Sequence, residues 1–237
     1  MLKILGVKID NLSKKEILNK LECFLNEDGI HQVATINPEF ILQAQKDSEF
    51  KKILNNCELR VADGAGIWFA YLRFGRYLKN RFTGIDIVQE VLRIANEKNI
   101  AIFLIASESG LSNWEKTREA ILEKYPNLKI QGSNVDRKDA QRNLSAINCP
   151  IVLCALGAPY QEKLIHSLKL AKNDKIRLAI GVGGSFDFLT NKLKRAPKIM
   201  RKTGLEWLWR FGQEPRYRMK RICSAIFVFP VRILFNK

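Results

Sequence analysis

The chain has 237 residues, with 40 Lys and Arg against 24 Asp and Glu, a net charge of +16 and 46% hydrophobic residues. This length suits one sizeable domain with an appendage, and the balance of apolar and charged residues excludes a disordered polyelectrolyte. The five cysteines form no C-x-x-C pair and have only His31 and His166 beside them. That excludes a zinc pattern, and they read as reduced, buried thiols of a cytosolic protein.

Taken in chain order, apolar runs alternate with helical patterns. The first strand-like run is "LKILGVKI" (2–9); the sequence turns polar straight after it, too soon for a signal peptide or a spanning helix. A helix over 13–26 opens with the S-x-x-E capping box Ser13–Glu16. Next come a strand at 32–36, a helix over 38–55, a strand at 59–62 and helices over 66–78 and 84–98. A strand at 100–106, a helix over 111–124, a strand at 128–132 and a helix over 136–146 follow. The last pairings are a strand at 151–157 with a helix over 159–172, then a strand at 177–183. Strands alternating with helices predict an α/β domain with a mainly parallel sheet over residues 1–190.

In open α/β sheets, ligands lie beyond the carboxyl ends of the strands. Four strand-to-helix junctions therefore matter. "TINPE" (35–39) offers Thr35 and Asn37 as sugar or nucleotide contacts, although Asn37 before Pro38 also suits a plain helix cap. "ADGAG" (62–66) places Asp63 between a strand and glycines, either as a turn former beside a phosphate loop or as a base that small neighbours leave accessible. "GAPYQE" (157–162) presents Gln161 as an amide reader of a uracil or sugar hydroxyl, or as a residue in the first turn of a Pro-started helix. "GVGGSFD" (181–187) brings Gly183 and Gly184 to a turn whose backbone can approach a diphosphate. It has neither G-x-G-x-x-G spacing nor a Walker lysine, so a simple glycine turn stays open. Nearby, "RFTGID" (81–86) adds Arg81, suited to a carboxylate or phosphate. No D-x-D triplet occurs, which favours metal-free chemistry.

Residues 191–237 hold 13 Lys and Arg and 2 Glu, so +11 of the net charge lies there. Within this basic appendage Leu205, Leu208 and Trp209 share a helical face, and Glu206–Arg210 is an i,i+4 ion pair. After Pro215, Met219, Ile222, Ile226 and Phe229 form one stripe, flanked by Arg216 and Lys220 on one side and by Arg218 and Arg221 on the other. Residues 222–235 are too few to span a bilayer core. A cationic, aromatic-rich, amphipathic segment over 195–237 suits an anionic membrane surface, the alternative being a helix docked on the core. Nucleic acid is not expected as a partner, because no helix-turn-helix, RNP or zinc-finger pattern is present.

In order along the chain, "TINPEF", "ADGAGI", "RFTGID", "GAPYQE", "GVGGSFDF", "RAP" (195–197) and "GLEWLWRFGQEPRYR" (204–218) resemble the WecG/TagA/CpsF glycosyltransferase family, most closely its TagA branch. Thr190–Asn191 departs from the small residue and glycine usual there, and Tyr160 stands where a basic residue is common. The resemblance implies a Rossmann-like fold with a C-terminal appendage that completes the active site at the membrane. It implies an inverting, metal-independent hexosyltransferase with no cofactor, moving N-acetylmannosamine from a UDP-sugar donor to N-acetylglucosamine on undecaprenyl diphosphate. The β-linked product belongs to wall teichoic acid linkage-unit synthesis in Gram-positive bacteria, at the cytoplasmic membrane face. In this reading Asp63 is the base, and Arg81 with Arg216, Arg218 and Arg221 stabilises the leaving diphosphate. Thr35, Asn37, Gln161, Gly183 and Gly184 hold substrate. The alternatives are a related enzyme using another UDP-sugar, glucose or N-acetylmannosaminuronic acid, and a non-enzymatic basic protein that binds membrane or nucleic acid. A small homo-oligomer is expected off the membrane.

Overall fold

The computed structural model describes residues 2–137 and 147–235. Six parallel strands form the central sheet: β3 (His31–Ile36), β4 (Leu59–Ala62), β5 (Ile102–Ser107), β6 (Ile130–Val135), β7 (Ile151–Cys154) and β8 (Leu178–Gly181). Their spatial order is β4-β3-β8-β7-β5-β6. The fold is α/β and Rossmann-like. Both faces of the sheet are covered, which is why its strands read as continuous apolar runs. Alternation persists within them: on β7, Ile151 and Leu153 enter one core while Val152 and Cys154 enter another.

Helices α1 (Lys14–Asn26), α5 (Gly84–Glu97) and α6 (Trp114–Leu122) line the first face through Leu21, Val88, Val91 and Ile121. The other face carries α2 (Pro38–Ala44), α3 (Ser48–Asn56), α4 (Ala65–Arg73) and α7 (Tyr160–Leu170). The capping box at Ser13–Glu16 forms as the sequence predicts, and the double hydrogen bond to Ser13 lowers the Glu16 carboxyl to about 2.

Two elements differ from expectation. The run over 2–9 is two short strands, β1 (Leu2–Ile4) and β2 (Val7–Ile9), because Leu5 and Gly6 both take positive φ and close a two-residue hairpin. The helix expected over 38–55 breaks in two. Asp47 accepts the Phe50 N–H at 2.9 Å, and a carboxylate bonded to a nearby backbone donor starts a new helix rather than continuing the old one. The helix expected over 136–146 lies, from residue 138 onward, outside the described residues.

After the short helix α8 (Ser185–Leu189), the appendage comprises α9 (Lys198–Thr203), α10 (Glu206–Gln213), α11 (Pro215–Cys223), a π-helical segment (Ser224–Val228) and α12 (Phe229–Phe235). The π segment has a local cause. Pro230 lacks the N–H that would bond the carbonyl four residues back, and the Phe229 N–H instead bonds Ser224, five back. Phe229 and Ile233 are fully buried in the core that also holds Ile36, Phe40, Ile67 and Tyr71. The end of the basic appendage is therefore part of the hydrophobic core, as in the docked-helix alternative, while other parts of it stay exposed. Among the described residues no helix is long and apolar enough to cross a membrane.

Phe229→Ala should lower the unfolding free energy by about 3–5 kcal/mol in denaturant titrations, the cost of a cavity in a packed core. A change below about 1 kcal/mol would mean that the last helix is not docked in solution.

Candidate active site

Asp63 follows the last residue of β4. Its backbone N–H bonds the Ile36 carbonyl at 2.8 Å, which ties the end of β4 to the end of β3. Gly64 (φ 86°) turns the chain into α4. The Asp63 carboxyl lies deep in the protein with a partial opening to solvent, and among the described residues it takes no hydrogen bond. Burial pushes it up to about 7. Arg210 pulls it down, and Glu206, Asp86 and Glu39 push it further up. A carboxylate poised near neutral pH and left without a structural partner can accept a proton from a bound hydroxyl.

Around Asp63 the expected junctions converge. Phe82 N–H bonds Ala62 O at 3.1 Å, which lays "RFTGID" along the end of β4. Gly84, at the start of α5, packs against Ser185, Val182 and the hydroxyl of the buried Thr35, joining the ends of β3 and β8. Asn37 caps α2 by accepting from Phe40 N at 3.0 Å, so any ligand contact it makes falls to its amide nitrogen. Thr83 caps α5 in a second capping box with Asp86.

The appendage closes over this edge. Arg81 Nη2 donates to the carbonyls of Arg201 (3.2 Å) and Lys202 (3.0 Å), near the C-terminal end of α9. Gly204 (φ 81°) lets the chain pass so close that an added Cβ would sit 2.9 Å from both Ala65 Cβ and Arg81 Nη1. Arg195 bonds Asp86 at 2.8 Å. Burial opposes the Asp86 charge, but hydrogen bonds from Thr83 and Arg195 prevail and hold this carboxylate below its usual range. Arg210 pairs with Glu206 at 2.9 Å, as the i,i+4 spacing predicts, and lies over the Phe188 ring at 4.7 Å.

Gln161 and the glycine loop take the plainer of the two readings the sequence left open for each. Gln161 is buried in the first turn of α7, where its Oε1 accepts the N–H groups of Gly157 (3.1 Å) and Gly183 (3.0 Å). Its Nε2 donates to Glu162 Oε1 at 2.6 Å. The amide therefore clamps two loops from behind rather than reading a base. The Gly183 N–H, held in this clamp, is not available to a diphosphate. At Gly184 an added Cβ would stand 3.3 Å from the Asp187 carboxylate, whose negative charge suits a hydroxyl better than a phosphate. Glu162 Oε2 is buried without a hydrogen-bond partner, and burial pushes this acid up to about 7.

Two of the three predicted tail arginines are already in ion pairs. Arg218 bonds Glu214 at 2.7 Å, and Arg221 bonds Glu39 at 2.5 Å, tying α11 to α2. Arg216 is exposed on α11. Two other appendage arginines bear on these acids, Arg210 electrostatically on Asp63 and Arg195 through its bond to Asp86, and sequence reasoning did not assign either to the site. The "RAP" block marked Arg195, but its partner Asp86 lies 109 residues away in sequence.

The family model for the glycosyl transferase WecG/TagA/CpsF family matches residues 2–237. The chain belongs to this family. Among its relatives, the N-acetylglucosaminyldiphosphoundecaprenol N-acetyl-beta-D-mannosaminyltransferase of Bacillus subtilis (strain 168) is 33% identical over 196 residues, covering 81% of this chain and 75% of the relative. The enzyme of the same name from Staphylococcus aureus (strain MRSA252) is 27% identical over 213 residues, covering 87% and 82%. In this WecG/TagA/CpsF member the blocks that carry the resemblance come from distant parts of the chain to one sheet edge. Its Asn191 takes φ 57°, the left-handed conformation for which a glycine is usual there.

The buried acid behind the loops makes a pH-dependent prediction. Because the Glu162 carboxyl titrates higher in the folded protein than in the unfolded chain, the native state binds the extra proton between about pH 4.5 and 7. Stability is lost as pH rises through that window. Glu162→Gln keeps the acceptor for Gln161 without the charge. It should be neutral at pH 4 and should raise the melting temperature at pH 8, with an upper bound of about 3 kcal/mol.

Proposed function

We propose that this chain is an inverting transferase that moves N-acetylmannosamine from UDP to the 4-hydroxyl of N-acetylglucosamine on undecaprenyl diphosphate. The reading rests above all on Asp63, a half-neutral, unpartnered carboxylate at the sheet edge, in a family with relatives named as N-acetyl-beta-D-mannosaminyltransferases of N-acetylglucosaminyldiphosphoundecaprenol. The acceptor oxygen attacks the anomeric carbon from the face opposite UDP and the new C–O bond forms. The old bond to the diphosphate breaks with its electron pair leaving on UDP, and Asp63 takes the hydroxyl proton.

Negative charge then develops on the diphosphate, and the nearest cationic groups are arginines. Arg81 holds α9 through one nitrogen and keeps the other at the Gly204 crossing, where Arg195 and Arg210 also approach the edge. In this reading Arg81 with these two forms the inner electrostatic clamp, and Arg216, Arg218 and Arg221 stand further out. No metal ion is invoked. Thr35 and the Asn37 amide orient a sugar, while Gln161 acts on the nucleotide site through the loops it holds. The basic appendage keeps the enzyme peripheral on the inner membrane face, where the lipid-linked acceptor resides.

UDP release should appear with UDP-N-acetylmannosamine and a short-chain lipid-diphosphate N-acetylglucosamine acceptor, and should persist in EDTA. Faster release with UDP-glucose or the uronic acid would reassign the donor. The plot of kcat/KM against pH should rise to a plateau through about pH 7, because only the ionised Asp63 can act as base. Asp63→Asn should fold normally, lower turnover by ~10²-fold or more and lose that ascending limb. A fully active Asp63→Asn enzyme would remove the base from this mechanism.

A further inference from the structure

The sequence reading confines membrane contact to residues 195–237, yet the helix that follows Asp63 shares the same surface character. On α4, Ile67, Ala70 and Tyr71 face the core, while Trp68, Phe69 and Leu72 are 44%, 37% and 47% exposed. On α12 and the π segment, Phe229 and Ile233 are buried, while Phe227 and Phe235 are 68% and 84% exposed, with Val231 and Leu234 beside them. Each helix is thus apolar on its outer face as well as on its inner one. A helix apolar all round is either enclosed by protein or set in lipid.

The two helices are neighbours. A Cβ on Gly66 would lie 3.5 Å from the Phe229 ring, and the Arg73 guanidinium donates to the Leu234 carbonyl at 3.4 Å. Contacts at the first turns and again at the last turns mean that α4 and α12 run side by side in the same direction. Their exposed groups are mainly aromatic and branched aliphatic. Arg73, Arg76 and Arg232 lie exposed on or next to the same elements.

We infer that α4 and α12 form a two-helix wedge that inserts into the interface of an anionic bilayer, so that the catalytic domain itself, and not the appendage alone, holds the membrane. Charge decides between lipid and a second copy of the chain. A symmetric dimer through this face would bring two appendages of net +11 together, which is repulsive, whereas anionic headgroups complement them. Insertion of the outer faces by about 5–10 Å, the usual depth of interfacial helices, sets a functional orientation. Asp63 immediately precedes the glycine that caps α4, so the base is carried to headgroup level, where the diphosphate of a lipid-linked acceptor lies. The purpose of the wedge rests on the proposed acceptor, but its binding to lipid does not.

The test uses the full chain and phosphatidylglycerol vesicles, with phosphatidylcholine vesicles as comparison. Phe69→Ser with Leu72→Ser alters only exposed side chains outside the catalytic machinery, and its unfolding curve checks the fold. This double variant should bind phosphatidylglycerol vesicles about tenfold or more weakly, while its turnover on a water-soluble short-chain acceptor stays unchanged. Brominated lipid should quench the wild-type tryptophan emission, and Trp68→Phe should remove part of that quenching. Unchanged vesicle affinity in the double variant, or quenching unaffected by Trp68→Phe, overturns the wedge. So does a concentration-dependent dimer in sedimentation that the double variant abolishes while vesicle binding is absent. Loss of vesicle binding in the double variant, in a protein that releases UDP with no acceptor, would keep the wedge and discard the proposed reaction.

Discussion

The burial of Phe229 and Ile233 in the apolar core they share with α2 and α4 is the contact on which the rest of the site depends. These two side chains anchor the far end of an appendage that carries most of the excess positive charge. With that end held, the intervening helices cross the sheet edge in one place. Arg221 then meets Glu39 on α2, Gly204 passes over Ala65 and Arg81, Arg195 meets Asp86, and Arg210 comes within electrostatic reach of Asp63. Each of these polar contacts is weak or moderate alone, since ion pairs near the surface contribute little. Apolar docking makes them simultaneous.

Two buried acids illustrate how one physical cause serves two ends. Desolvation pushes both Asp63 and Glu162 up to about 7. Asp63 opens toward the sheet edge and has Arg210 as a counter-charge, so its proton can exchange with a bound group. Glu162 faces inward, meets the Gln161 amide and holds it so that a single oxygen accepts the N–H groups of two loops. A neutral acid suits that position, because an ionised one would leave a buried charge without a partner. The glycine-bearing loops at the ends of β7 and β8 thus owe their position to a side-chain pair set behind them.

The exposed side of the molecule follows the same logic of unequal faces. α4 and α12 bury one apolar face in the core and leave another uncovered, and cationic residues lie around the uncovered part. In a protein that acts on a lipid-linked sugar, this arrangement would place the reactive edge at the water–lipid boundary without a spanning helix.

Much of this was legible along the chain. The order of strands and helices, the capping box at Ser13, the Glu206–Arg210 pair and the charge concentrated after residue 190 are local properties, set by spacing and composition, and among the described residues they appear as the sequence predicts. The candidate base was legible too, because a carboxylate before glycines at a strand end belongs to a recognisable set of blocks. What the sequence left open was decided by tertiary contact. The hairpin within 2–9 and the break at Asp47 depend on single backbone choices inside longer apolar patterns. Gln161 turned inward because folding brought Gly157 and Gly183 to it from two strands. Arg195 reaches Asp86 and Arg210 acts on Asp63, while Arg218 and Arg221 pair with Glu214 and Glu39, because of how the appendage helices lie on the sheet edge. By itself, the sequence determined which elements form and which chemical groups stand at their ends. Only the tertiary structure decided which of those groups share a site, because proximity across a hundred residues comes from packing and leaves no period or spacing to read.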